Sequence, residues 1–345
     1  MAQPIAFGYA GPCASPFEGR LCGDNNDRGK GGLEIPVIDL SMLVSGGPDE
    51  KSRMIRDLRM ACQEWGFFML INHGVPESLM SAMEAATREF FDLPEDEKRK
   101  YAGKGVVDTV RYGTSFASGT EGGHMFFWRD FVKALVRPQF HSPSKPQGFS
   151  NVLAEYCEKM HVMGKVLLEG ISESLGLDTE HINKMMDIES SQQLWAANRY
   201  PPCPDPESVM GIPAHTDYGL LTFLTQHGTD GLEIFHQDKW VEVHPIKGAI
   251  LVNTCDHIEI ITNGKYKSVL HRAKVNTEKT RISIVSSIGP SPDTFVRPIE
   301  ELLEEGKEEA KYMGMKYREY FDLMYDPKLF GKSCLEYVKT ITTRS

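Results

Sequence analysis

His215-Thr216-Asp217 and, much further along the chain, His271 supply two imidazoles and one carboxylate. Side chains two apart on an extended strand share a face, so His215 and Asp217 can reach one ion together. An antiparallel β core brings a distant strand, here the one carrying His271, alongside them. Three ligands from one side leave half of an octahedron open, the facial arrangement of two histidines and a carboxylate that suits Fe(II) with exchangeable positions. Spacing alone is weak, because the pattern recurs at His236-Gln237-Asp238, which reads as a solvated hairpin turn. The residues that accompany the first copy separate the two.

Arg281-Ile282-Ser283 follows His271. Arg281 and Ser283 face one side of a strand and Ile282 the other. A guanidinium fork holds a carboxylate through two parallel charge-assisted hydrogen bonds, and a hydroxyl adds another donor. An arginine set among Ile282, Ile284 and Val285 points inward, which disfavours an ordinary surface ion pair. Upstream, Asn198 and Tyr200 share a face by the same alternation. Together these groups would take a dicarboxylate, one end on the metal and the other on Arg281. Other candidates read as structural. His73 packs where a strand meets a loop, and His244 and His257 lack an Arg-x-Ser at the right distance. Cys203 and Cys255 pack as small hydrophobes.

The elements that must position these residues fall into two textures. From Gln193 onward, short apolar runs at 193–199, 220–226, 232–236, 240–244, 249–254, 269–275 and 281–288 are separated by turn signals. Short strands at this spacing predict a sandwich or barrel, most simply a jelly roll. Asn263-Gly264 suits a tight type I′ hairpin. Before this region, a strand is expected at 34–40 and an amphipathic helix through Met54, Leu58, Ala61, Cys62 and Trp65. Phe67 to Ile71 reads as a strand, 77–91 as a helix, and 94–98 as a charged turn or short helix. Leu153, Tyr156, Met160, Met163 and Leu167 mark a long helix, whereas 102–147 shows no clear period. Helices are expected at 300–311, with its acidic face solvated, and at 314–323.

The fold class is therefore mainly β with α: a double-stranded β-helix (jelly roll) core with surrounding N-terminal and C-terminal helices. The chain divides into a flexible arm (1–32), an N-terminal helical and strand region (33–150), the core with its preceding long helix (151–300), and C-terminal helices and tail (301–345).

His215-x-Asp217, His271, Arg281-x-Ser283 and Asn198-x-Tyr200-Pro201-Pro202-Cys203 resemble the plant 2-oxoglutarate- and Fe(II)-dependent dioxygenases. The resemblance runs from Ile35 to about Pro298. It includes Pro36-Val37-Ile38-Asp39-Leu40, Trp65-Gly66-Phe67-Phe68, Ile71-Asn72-His73-Gly74 and the stretch Asn263 to Ser268. It implies that His215, Asp217 and His271 ligate iron, and that Arg281 and Ser283, assisted by Tyr200 and Asn198, anchor 2-oxoglutarate. It implies Fe(II), 2-oxoglutarate and O2 as cofactor and co-substrates, with ascorbate as a reductant. The implied outcome is hydroxylation, desaturation or demethylation of a small plant metabolite through an Fe(IV)-oxo intermediate, with release of succinate and CO2. A catalytically idle ligand-binding or sensor protein on the same fold is the alternative.

For the substrate pocket, the Arg281 face continues by twos through Val285 to Ser287, and Tyr218 follows the aspartate. Phe116, Phe131 and Lys133 lie where similar enzymes fold over the iron, and Phe330 can reach it from the C-terminal segment. Ser287 departs from the bulky aromatic of flavonoid-type relatives, which makes an aliphatic or alkaloid-like skeleton as fitting as a flavonoid.

Composition bounds the rest. The 345 residues are 41% hydrophobic, enough for a large core without disulfide staples. With 38 Lys and Arg against 48 Asp and Glu, the net charge of −10 argues against nucleic acid or an anionic membrane as the main partner. Seven scattered cysteines without a CxxC fit a reduced compartment. No apolar run approaches a membrane span and no leader pattern opens the chain. A cytoplasmic monomer acting on a small molecule is the expectation.

Overall fold

In the computed structural model, which describes residues 34–103, 108–116, 126–226, 229–303, 308–323 and 334–339, two sheets face each other across one cavity. The larger runs in the order β1 (Val37–Asp39), β2 (Phe67–Ile71), β11 (Ile250–Thr254), β8 (Leu221–Gln226), β13 (Arg281–Gly289), β5 (Gln192–Tyr200), β4 (Phe126–Arg137) and β3 (Val110–Phe116). A short β6 (Val209–Met210) attaches to β4. The smaller sheet is β10 (Lys239–Val243), β9 (Leu232–His236), β12 (His271–Ala273) and β7 (Ile212–His215). Pairing within the two sheets is antiparallel apart from β1–β2 and β4–β6. This is the expected jelly roll.

Alternation along β13 shows how the sequence builds both sides of the wall. Arg281, Ser283 and Val285 line the cavity, while Ile282, Ile284 and Ile288 enter the core behind the sheet. That core is covered by the long helix α5 (Phe149–Ser174), whose buried stripe includes Leu153, Tyr156, Met160, Met163 and Leu167. At Gly164 a Cβ would stand 2.5 Å from Ile288 Cδ1, so helix and sheet meet at hydrogen-only distance. Helices α2 (Pro48–Met60) and α3 (Glu77–Asp92) pack on α5. Short α1 (Leu40–Ser45), α4 (Glu95–Arg99), α6 (His181–Met185), α7 (Asp256–Ile261), α8 (Tyr317–Leu323) and α9 (Cys334–Val338) complete the helical layer among the described residues.

Helix α2 starts with Pro48 in its first turn, and the Glu50 carboxylate accepts from the Gly47 amide at 3.0 Å. The helix widens into a π turn over Ala61–Trp65 and stops at Gly66, whose φ is +61°. A Cβ at Gly66 would lie 2.6 Å from the Lys267 carbonyl oxygen, so only glycine fits.

Several expectations need correction. Asn263-Gly264 does not turn a hairpin: it ends α7, with the Gly264 amide donating to the Glu259 carbonyl at 2.8 Å. Positive φ at both residues serves a helix end as well as a hairpin turn. Every residue of α7 is buried, so no apolar periodicity could announce it. The helix expected at 300–311 is reduced to a single 3-10 turn, Glu300–Leu302, within the described residues. Glutamates at 300, 301, 304, 305, 308 and 309 place like charges four apart, which disfavours a helix. The unassigned 102–147 holds β3 and β4. The 314–323 helix is confined to α8, after a two-residue strand β15 (Met315–Lys316) that pairs with β14 (Phe295–Val296). The His236-Gln237-Asp238 copy does turn a hairpin, β9 to β10, but His236 is buried and its ring stacks on Trp65 at 3.8 Å. His257 lies on α7, directly after β11.

All five cysteines among the described residues are free thiols and buried. Among those residues no helix is long and apolar enough to cross a membrane.

Candidate active site

His215 closes β7, and Asp217 lies in the connection to β8 and not on a strand. The two meet because the chain leaves the sheet between them, not through strand alternation. His271 opens β12, directly across the ladder from His215. One ligand atom from each of the three lies within 4.8 Å of the others. Both Nε2 atoms stand 3.8 Å from an Asp217 oxygen. Each Nδ1 donates to a backbone carbonyl, His215 to Pro213 at 2.7 Å and His271 to Val269 at 3.1 Å. That fixes the ring orientation and leaves both Nε2 lone pairs aimed at the shared point.

Electrostatics agrees with the geometry. Burial, reinforced by His271, pushes the His215 pKa down to about 3, so its imidazole is neutral at physiological pH. Burial alone would raise Asp217. The His271 and His215 rings and hydrogen bonds from Asn253 and Thr222 outweigh it and hold the carboxyl below its usual range. A neutral imidazole and an ionised carboxylate are the forms a divalent metal binds. Asn253 on β11 donates from Nδ2 to Asp217 Oδ2 at 3.0 Å, and the Phe67 ring meets His271 edge-on at 5.4 Å.

Behind the ligand loop lies α7. The amides of Asp256, His257 and Cys255 donate to the carbonyls of Asp217, Gly219 and Leu220 at 2.8, 3.1 and 3.0 Å. Asp256 accepts from Ser268 Oγ and Tyr320 OH, each at 2.6 Å, and Glu259 accepts from Tyr312 OH at 2.6 Å. His257 Nδ1 donates to the Tyr218 carbonyl.

The triad opens on a cavity lined from both sheets, with Phe67, Leu224 and Val285 on one side and Ile212, Leu232 and Ala273 on the other. Asn198, Tyr200, Arg281 and Ser283 all line it, as the alternation predicts. Arg281 is 2% exposed. Its Nη2 donates to Gln226 Oε1, while Nε and Nη1 are buried without a partner among the described residues. A buried guanidinium with two open donors fits an absent carboxylate, since leaving those N–H groups unmet costs about 1–3 kcal/mol each. Asn198 accepts from Arg129 Nη1 at 2.7 Å and turns Nδ2 toward Ser283 Oγ at 3.5 Å. The residues present therefore fit both Fe(II) and 2-oxoglutarate.

The remaining predicted residues divide. Phe131 and Lys133 lie on β4, in register with Asn198 and Ala196. Ser287 accepts from Thr222 Oγ1 at 3.3 Å, beside the cavity wall that Thr222 forms. The Tyr218 ring packs against Phe321 on α8 at 5.4 Å. Phe116 ends β3 opposite Trp128, and its side chain is outside the described residues, as is Phe330 altogether. Sequence reasoning missed Thr222, Gln226, Asn253 and Arg129. Asn253 is a polar residue inside the otherwise apolar run of β11, and that anomaly was the available signal.

Comparison with known proteins bears on the same residues. Residues 191–290, which span the triad and Arg281, match the 2OG-Fe(II) oxygenase superfamily, and residues 35–155 match the N-terminal region of the non-haem dioxygenases of morphine synthesis. The chain is 41% identical to 2-oxoglutarate-dependent dioxygenase 19 of rice, over 89% of this chain and 90% of that one. It is 40% identical to the Arabidopsis DMR6-like oxygenase 1, over 90% and 88%. Among solved structures, JOX2 in complex with 2OG, Fe and JA superimposes with a TM-score of 0.77 at 30% identity, covering 90% of each chain. The rice dioxygenase for auxin oxidation superimposes with a TM-score of 0.74 at 26% identity, over 89% of this chain and all of that one. Matched by that family model and 41% identical to such a dioxygenase over most of both chains, the chain belongs to the 2OG-Fe(II) oxygenase superfamily and is a dioxygenase of that type.

Proposed function

We propose that His215, Asp217 and His271 hold Fe(II), and that Arg281 and Ser283, with Tyr200 and Asn198, hold 2-oxoglutarate. On this reading the enzyme hydroxylates, desaturates or demethylates a small plant-type metabolite. The observation that carries it is the unpartnered edge of Arg281, which shares a cavity with three converging ligands.

Fe(II) and 2-oxoglutarate supply oxidative decarboxylation to succinate and CO2, coupled to oxidation of a substrate C–H bond. The chain's own residues do the positioning. Arg281 takes the distal carboxylate on Nε and Nη1, and Gln226 holds its remaining nitrogen so that this edge faces inward. Asn253 keeps Asp217 turned toward the two imidazoles. Leu224, Leu232 and Val285 line the cavity with apolar surface that limits water near the reacting atoms. The relatives' names support a small organic substrate: one neighbour was solved with JA and another oxidises auxin. We read the protein as a cytoplasmic monomer that does not bind nucleic acid, in keeping with its charge of −10.

The test is substrate-independent conversion of 2-oxoglutarate to succinate by Fe(II)-loaded protein. Slow turnover that requires Fe(II) and falls at least 100-fold in Asp217→Ala is expected. Iron-loaded protein that binds no 2-oxoglutarate in a calorimetric titration would overturn the reading.

A further inference from the structure

One row of side chains runs across four neighbouring strands of the larger sheet. Antiparallel partners in register point to the same face. Gln226 on β8 is opposite Ser283 on β13, Ser283 is opposite Asn198 on β5, and Asn198 is opposite Phe131 on β4. Asn198 and Ser283 are buried and line the cavity. Two places before Phe131, Arg129 lies on the same face of β4 and is buried too.

An amide side chain has one end that accepts and one that donates, whereas a guanidinium only donates. Arg129 Nη1 donates to Asn198 Oδ1 at 2.7 Å. The amide cannot turn over without setting its N–H groups against a cation, so Nδ2 is the end that faces Ser283 Oγ, at 3.5 Å. The other flank of Ser283 follows the same logic. Arg281 Nη2 donates to Gln226 Oε1, which leaves Gln226 Nε2 buried and without a partner among the described residues. Each amide oxygen that flanks Ser283 in the row is thus engaged by an arginine. A serine hydroxyl has one proton to give. With Asn198 donating to Oγ, that proton is left for an acceptor in the cavity. A reversed Asn198 amide would turn Oδ1 toward Ser283 and take the proton itself.

We propose that Arg129 is a positioning residue of the 2-oxoglutarate site. By locking the Asn198 amide it keeps the Ser283 proton for the distal carboxylate, so that this end of the cavity presents donors and selects an ionised tail. The proposal rests on the reading of Arg281 and Ser283 given above. Arg129 acts through Asn198 and not by contact with the carboxylate.

The test is anaerobic calorimetric titration of Fe(II)-loaded full-length protein with 2-oxoglutarate and with 2-oxovalerate, which has a methyl group in place of the distal carboxylate. Wild type is expected to prefer 2-oxoglutarate. Arg129→Met should weaken 2-oxoglutarate by about tenfold, the worth of one hydrogen bond to a charged group, and leave 2-oxovalerate unchanged. Arg129→Lys, still a donor only, should restore most of the preference. Asn198→Asp keeps a partner for Arg129 but turns an acceptor toward Ser283, and should lower the preference by about tenfold or more. In an Asn198→Leu background, Arg129→Met should add less than about twofold, because the residue it acts through is gone. A loss equal for both acids, a preference unchanged in Arg129→Met or in Asn198→Asp, or an undiminished effect of Arg129→Met beside Asn198→Leu would each overturn the proposal and leave the reading of Arg281 in place. Wild-type protein that binds 2-oxovalerate as tightly as 2-oxoglutarate would refute that reading, and the proposal with it.

Discussion

Asn253 and Gln226 act on the site through other residues. Asn253 is the donor that steadies Asp217, and a group hydrogen-bonded to a ligating carboxylate typically matters 10–100-fold in metal affinity. Asn253→Leu is therefore expected to weaken Fe(II) binding by about tenfold, read by anaerobic titration, with 2-oxoglutarate turnover restored at high iron. Gln226→Leu removes the acceptor of Arg281 Nη2 and lets the guanidinium rotate. Its expected signature is a roughly tenfold rise in the dissociation constant for 2-oxoglutarate with iron affinity unchanged, in line with about 1.4 kcal/mol for a charge-assisted hydrogen bond. A common loss of both affinities would point to general damage. The candidate triad and Arg281 stood out in the sequence because Arg281-x-Ser283 and Asn198-x-Tyr200 accompany one of the two His-x-Asp copies. Asn253, Gln226 and Thr222 did not. Their side chains matter through neighbours on other strands, and only the register reveals which neighbours those are.

At the scale of elements, the runs of β5, β8, β9, β10, β11 and β13 could be read almost to their ends, since apolar runs broken by turn residues dictate them. Strands β3 and β4 escaped because one face mixes Arg111 and Gly113 of β3 with Arg129, Phe131 and Lys133 of β4, which erases the usual apolar–polar alternation. Helix α7 escaped for the opposite reason, being buried on every side. The join between α2 and β2 is the most sharply constrained of these elements. Gly66 has φ +61° and faces a carbonyl oxygen that cannot move aside cheaply. Gly66→Ala should cost about 2 kcal/mol by chemical denaturation, from the left-handed backbone penalty and the clash together. An unchanged midpoint would mean that the Lys267 segment yields.

For the whole molecule, acid stability depends on two adjacent residues of α7 that titrate in opposite senses. Burial pushes the His257 pKa down to about 4, and its ring lies between Tyr317 and Tyr320. The unfolded chain takes up this proton near the ordinary value of 6.5, the folded protein only near 4. Stability from His257 is complete above pH 6.5 and is lost as pH falls toward 4, to the extent of about 3 kcal/mol. Burial pushes Asp256 up to about 7 from 3.8, despite its donors, so its contribution is complete below 3.8 and fades as pH rises toward 7. The two slopes oppose each other between pH 4 and 6.5. His257→Asn removes one of them, so its unfolding free energy should fall less than the wild type's on acidification from pH 6.5 to 4. Parallel curves for the two proteins would refute this assignment.

The tyrosines that reach α7 have a consequence for the order in which the protein is made. Tyr312 and Tyr320 follow every strand of the two facing sheets in the chain, yet they donate to Glu259 and Asp256, on the helix whose amides grip the ligand loop. A ribosome releases the whole barrel, histidines and aspartate included, before it releases the hydroxyls that satisfy the carboxylates behind them. The loop can form early, but it is clamped last. Docking of this later segment thus completes the shell behind the loop after every strand of the barrel has been made.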